Sequence, residues 1–135
     1  MIDIDATFLP VGRMRLVSRV TRLDDATISG EVDLQDHWAF ADHFPGDPIF
    51  PGSLIVEAAG QLVALWAWAQ GQRGHPRLVK TSASFREPVV PDVGAIELRA
   101  EVRARRHLTF AEVSVWACDV RVASVGVTLA VLPRA

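Results

Sequence analysis

The 135-residue chain contains one cysteine, Cys118, so it can form neither an internal disulfide nor a multi-cysteine metal site, and nothing points to an oxidising compartment. The formal net charge of −2 leaves no basic excess for a general nucleic-acid role. Met1 to Thr7 alternates acidic and apolar residues and lacks the basic start and apolar core of a secretion signal. The longest apolar stretch, Leu54 to Ala69, falls short of the roughly 20 residues of a membrane span and carries Glu57 and Gln61 inside it. A cytoplasmic protein with neither membrane nor nucleic acid as partner is expected. His37, His75 and His107 show no shared ligand spacing, so no metal site is expected, and no glycine-rich phosphate loop opens a helix in a βαβ unit. Repeats, low-complexity tracts and linkers are missing too, which leaves residues 1–135 as a single domain.

What the chain does have is a generous core. Half of its residues are hydrophobic and 22% are charged. From Ala26 to Leu34, and again from Ile96 to Arg105, apolar and polar residues alternate as in half-buried strands. Met14 to Leu23 alternates more weakly, and Asp24-Asp25 turns it into a hairpin with the strand that follows. Thr109 to Cys118 and Val122 to Leu132 are rich in Val, Thr, Phe and Trp and predict a closing antiparallel meander. Between the early and late strands lie a Pro- and Gly-dense loop, Asp42 to Gly52, and one long helix that Gly71 and Gly74 stop. A helix apolar nearly all round must be covered, and a curved antiparallel sheet is the available cover. The fold class is α+β.

Two polar residues in that helix need a reason. Burying the Glu57 carboxyl without partners would cost several kcal/mol. It lies four residues after Ser53, one too many for a capping box. Gln61 follows it by four, so both lie on one helix face and could look into one polar pocket. His43, in the Pro- and Gly-rich loop, reads either as a hydrogen-bonded loop residue or, paired with Glu57, as half of an acid and base couple. On residue types alone both readings stand.

The segment HFPGDPIFPGSLIVEAAGQL, from His43 to Leu62, closely resembles the active-site signature of bacterial 3-hydroxyacyl-ACP dehydratases. Asp36-His37-Trp38-Ala39-Phe40 and Gln61-Leu62-Val63 are similar to the 3-hydroxydecanoyl-ACP dehydratase/isomerase branch, whereas Pro45 and Glu57 resemble the plain dehydratase branch. Phe85 to Pro91 is similar to the family's strand-to-turn motif, with Asp92-Val93-Gly94 in place of the usual Gly-Asp. The resemblance implies a hotdog fold, a curved antiparallel sheet wrapped around one long central helix. It implies dehydration of a 3-hydroxyacyl thioester, carried on acyl carrier protein, to the trans-2-enoyl product in fatty acid or polyketide-type biosynthesis, with no cofactor.

By the same resemblance His43 takes the C2 proton, Glu57 protonates the departing hydroxyl, and the backbone N–H of Gly52 holds the thioester oxygen. Gln61, Phe44, Phe50 and Pro51 are expected at the substrate, Pro51 also as a rigid loop element. Phe50 stands where the family usually has Met. Trp66 and Trp68 are read as core or tunnel wall. A homodimer with each site shared between subunits is implied. Arg103, Arg105 and Arg106 resemble the carrier-protein docking patch of the isomerase branch, with a solvated strand face as the other reading. A hotdog thioesterase, or a noncatalytic acyl-binding partner subunit, are the competing functions.

Overall fold

The computed structural model describes residues 8–133. Six strands form one antiparallel sheet: β1 (Arg19–Leu23), β2 (Thr27–Asp33), β3 (His75–Phe85), β4 (Ala95–Arg105), β5 (Leu108–Ala117) and β6 (Val120–Leu132). Their order across the sheet is β1-β2-β4-β5-β6-β3. Two helices interrupt the strands, the four-residue α1 (Ala39–Asp42) and the long α2 (Gly52–Ala69). Because α2 joins β2 to β3, which stand near opposite edges of the sheet, the connection crosses the whole sheet and the sheet curls around it.

Alternation explains the curl's inner face. Ile96, Leu98, Ala100 and Val102 of β4, Ala111, Val113 and Val115 of β5, and Ala123, Val125 and Val127 of β6 are buried and pack with α2. The α2 side chains from Leu62 to Ala67 are buried in succession, as a helix covered on most sides requires. By length and composition α2 could also cross a membrane, but 61% of its apolar window is buried within this fold, as expected of a core helix. Helix α2 packs tightly on the sheet at Gly30, where a Cβ would lie 2.8 Å from the Arg19 carbonyl oxygen and 2.9 Å from Leu62 Cδ1. Glycine is what lets α2 settle there.

Three features depart from the sequence reading. The Met14 to Leu23 strand shrinks to β1, beginning at Arg19, because Gly12–Met14 forms a 3-10 turn and the amides of Leu16 and Val17 bond to a side chain of α2. Strand β3 was not expected. It is an edge strand, exposed at every residue but Pro76, so it carries no period-two signal. Helix α1 was not expected either: it lies between the Ala26 to Leu34 strand and the Asp42 to Gly52 loop, where the sequence reading placed no element.

Candidate active site

Helix α1 delivers the chain to His43, and a tight loop then returns it to α2. Phe44 and Asp47 exchange backbone hydrogen bonds of 2.9 Å each, and the Ile49 N–H donates to the His43 carbonyl at 2.8 Å. Inside this loop His43 Nδ1 lies 2.9 Å from the Ile49 carbonyl oxygen. A carbonyl can only accept, so Nδ1 carries the hydrogen and Nε2 keeps its lone pair. The ring stacks on Phe44, centroids 3.9 Å apart, and Phe44 itself is 48% exposed. His43 is thus a bonded loop residue whose neutral ring, donating from Nδ1, leaves Nε2 able to accept a proton.

Glu57 sits one and a half turns into α2 and is tied to the next turn. Gln61 Nε2 donates to Glu57 Oε2 at 2.9 Å and to the Met14 carbonyl at 2.6 Å. Gln61 Oε1 accepts from the amides of Leu16 at 2.9 Å and Val17 at 3.2 Å. With two donors and two acceptor sites, an amide so engaged has nothing left for a ligand. Gln61 thus spends its hydrogen bonds on anchoring the 14–17 segment and holding Glu57, and it borders the same cavity as that carboxyl. Glu57 borders a cavity of about 470 Å³ between α2, residues Phe8 to Pro10 and the start of β3. Gly60 and Ala64 continue that wall along α2, and His43 is not among the residues lining it.

Gly52 opens α2, directly after Pro51, whose carbonyl accepts from Leu54 and Ile55. As the first helical residue it directs its N–H outward from the positive end of the helix, with no carbonyl one turn back to receive it. A Cβ here would lie 2.8 Å from Phe85 Cζ. What presses on Gly52 in the single chain is therefore the Phe85 ring, and not open space for an acyl chain. Both line a cleft of about 300 Å³ with Ile49 and Val89. Phe50 contributes to that cleft but is only 2% exposed, its ring packed against His37 and Phe40. In the single chain its ring is mostly core, because the loop folds its side chain inward. Trp66 is core as well, donating from Nε1 to the Asp24 carbonyl. Trp68 stacks on Phe8, which borders the Glu57 cavity.

Residues 9–126 match the FabA-like domain family. The chain belongs to that family. Its fold is the hotdog fold, shared with the dehydratase heterocomplex ApeI:P from Xenorhabdus doucetiae at a TM-score of 0.79 and 12% identity, over 99% of this chain and 94% of the other. A mutant thioesterase from Pseudomonas aeruginosa superposes at a TM-score of 0.69 with 15% identity, covering 86% of this chain and 81% of its own. A hypothetical thioesterase solved with coenzyme A from Streptococcus pneumoniae gives 0.71 at 11% identity, over 86% of each chain. Identities this low establish the architecture alone.

Away from the loop and helix, this FabA-like domain presents a basic end. Arg103, Arg105 and Arg106 are exposed at the β4–β5 turn, with the Arg103 guanidinium 4.6 Å above the Phe110 ring. The sequence reading missed two companions. Strand register sets Arg105, Leu108, Ala130 and Arg77 in one row across the sheet, and Arg103, Phe110, Thr128 and Lys80 in another. Arg77 also borders the Glu57 cavity. Neither β3 residue belongs to a charge run, and only pairing brings them into the rows of the arginine cluster, across the two intervening strands.

Proposed function

We propose that this protein dehydrates a 3-hydroxyacyl thioester to the trans-2-enoyl thioester. The observation that carries the reading is the His43 Nδ1–H bond to the Ile49 carbonyl, which leaves Nε2 as a proton acceptor at the tip of a fixed loop. A thioesterase that works through its helix carboxylate alone has no use for such a base. Nε2 removes the C2 proton, the C2–H electrons become the C2–C3 double bond, and the C3–O bond breaks. The Glu57 carboxyl, aimed by Gln61, gives its proton to the departing oxygen and water leaves. The imidazolium then returns a proton to the carboxylate, restoring both groups. The Gly52 N–H, at the positive end of α2, stabilises negative charge on the thioester oxygen as C2 is deprotonated.

The working unit in this proposal is a homodimer. Strand β3 offers eleven residues of edge with Leu78, Val79 and Phe85 about half exposed, an edge that folded proteins ordinarily cover. A partner's β3 fits that edge. Since His43 is not part of the cavity that Glu57 borders, the base serving each carboxyl comes from the other subunit in this reading. An acidic acyl carrier protein is the proposed donor of substrate, docking on Arg103, Arg105 and Arg106 with Arg77 leading to the cavity.

Incubation with a synthetic 3-hydroxyacyl thioester, following enoyl absorbance and free thiol together, tests the reaction. Enoyl formation is expected; thiol release without it overturns the reading. His43→Ala and Glu57→Gln should each lower kcat by about 10²-fold or more while the dimer stays folded. Exchange of subunits between the two inactive variants should restore part of the activity, and no recovery after demonstrated exchange would reject the shared site.

A further inference from the structure

His37 lies outside the acid and base pair, yet it touches both ends of the loop that carries the base. Its Nδ1 accepts the Ala39 N–H at 3.1 Å, its own N–H donates to the Leu34 carbonyl, and its carbonyl accepts from Phe40. Those bonds start α1, the single turn that ends at His43. On the other side the His37 ring meets Phe50 edge-on, centroids 5.0 Å apart at 85°, and Phe40 at 6.5 Å and 82°. Phe50 follows Ile49, whose carbonyl holds the His43 Nδ1–H. One imidazole therefore bears on the helix that precedes the base and on the segment that supplies its hydrogen-bond acceptor.

We infer that His37, as a neutral ring, is the positioning residue that keeps His43 in its Nδ1–H tautomer, with Nε2 free to accept a proton. Only an unprotonated Nδ1 can accept from Ala39. Protonation would set two donors against each other at the start of a four-residue helix, too short to hold itself together by its own hydrogen bonds. Burial holds the His37 pKa below the ordinary histidine value, in keeping with a ring that works uncharged. The rings packed on it, Trp38, Phe40 and Phe50, carry no charge. Charged groups on the surrounding elements are Asp36 beside it, Asp42 on α1, Asp47 in the loop, and Arg13, whose guanidinium lies 5.5 Å over Trp38. The catalytic part of this inference rests on the proposed dehydration, whereas the tautomer of His43 does not.

Two substitutions separate the ring from the acceptor. In His37→Asn the side-chain oxygen occupies the place of Nδ1 and does not titrate, so the helix start survives. In His37→Phe the aromatic wedge survives and the acceptor is lost. His37→Phe should lower kcat about tenfold, the factor that corresponds to one net hydrogen bond, with KM within twofold. His37→Asn should keep kcat within about threefold and make the acid limb of the kcat profile less steep, since one of two acid-sensitive groups is gone. Nitrogen NMR of histidine-labelled protein at pH 7.5 reads the tautomer directly and needs no turnover. His43 should be the Nδ1–H form in the native protein and in His37→Asn, and a mixture in His37→Phe. A folded His37→Phe variant with the native tautomer overturns the inference, whatever its activity. The expected tautomer shift in His37→Phe, with no dehydration by the native protein, would leave the positioning in place and reject the reaction.

Discussion

Gln61 Nε2 donates to Glu57 Oε2 at 2.9 Å while the same amide closes three backbone bonds to residues Met14, Leu16 and Val17. The side chain that aims the carboxyl is therefore also the pin that holds the N-terminal segment on α2. In the proposed dehydration, catalytic geometry and stability are joined at one residue that is 3% exposed.

Replacing Gln61 with Leu strands two buried amides and a carbonyl, each worth about 1–3 kcal/mol when unsatisfied. Urea unfolding should show a loss of ~3 kcal/mol or more, with water entry limiting the total. Activity measured well below the unfolding midpoint should also fall, because Glu57 loses the side-chain restraint of the 2.9 Å bond from Gln61. A Gln61→Leu protein of native stability would show that these bonds are absent in solution.

How much of this was legible in the residues differs from element to element. The β2 and β4 strands announced themselves because each has one face on the core and one in water, and α2 because it is apolar on nearly all sides. Edge strand β3 gave no such signal, since exposure on both faces removes the alternation that period-two reading depends on. The site followed the same logic. His43, Gly52 and Glu57 stand in one contiguous motif, but the saturation of Gln61, the inward turn of Phe50 and the ring of Phe85 over Gly52 are tertiary facts. His37 could have been suspected from its place just before two aromatic residues, Trp38 and Phe40, and six residues before His43.

At Gly52 two demands can be told apart. A methyl group in Gly52→Ala meets the Phe85 ring at 2.8 Å, so overpacking should cost about 1–3 kcal/mol in thermal or urea unfolding. Phe85→Leu should return most of that stability by removing the ring edge. If the Gly52 N–H serves the thioester oxygen, kcat in the double variant should recover with the fold, since alanine keeps the amide. Stability that returns without activity would show that substrate also needs the space above Gly52.

The basic end predicts a contrast between substrates. Charge reversal of Arg103, Arg105 and Arg106 to Glu should lower kcat/KM at least tenfold for a carrier-bound substrate at low salt, while a small synthetic thioester is turned over as before. The difference should shrink as salt is raised, because these side chains are exposed and screened. Arg77→Glu should reproduce part of the effect, given its place in the row of Arg105 and at the cavity. Equal losses on both substrates would assign the cluster to folding instead.

The β1–β2 turn sets a pH dependence of its own. Asp24 Oδ1 accepts from the amides of Ala26 at 2.9 Å and Thr27 at 2.8 Å, and Arg22 lies 3.5 Å from its other oxygen. The Ala26 amide first, then Thr27, and Arg22 least hold the Asp24 pKa below the ordinary aspartate value. A carboxyl depressed in the folded state stabilises the fold above its unfolded value, and that stabilisation is lost as pH falls through the folded value. Native protein should therefore lose stability below about pH 4 more steeply than Asp24→Asn, which keeps an acceptor oxygen for the turn but takes up no proton. The Trp66 Nε1 bond to the Asp24 carbonyl makes the change readable as tryptophan fluorescence during acid titration. Identical acid limbs for the two proteins would mean that the turn carboxyl is free in solution.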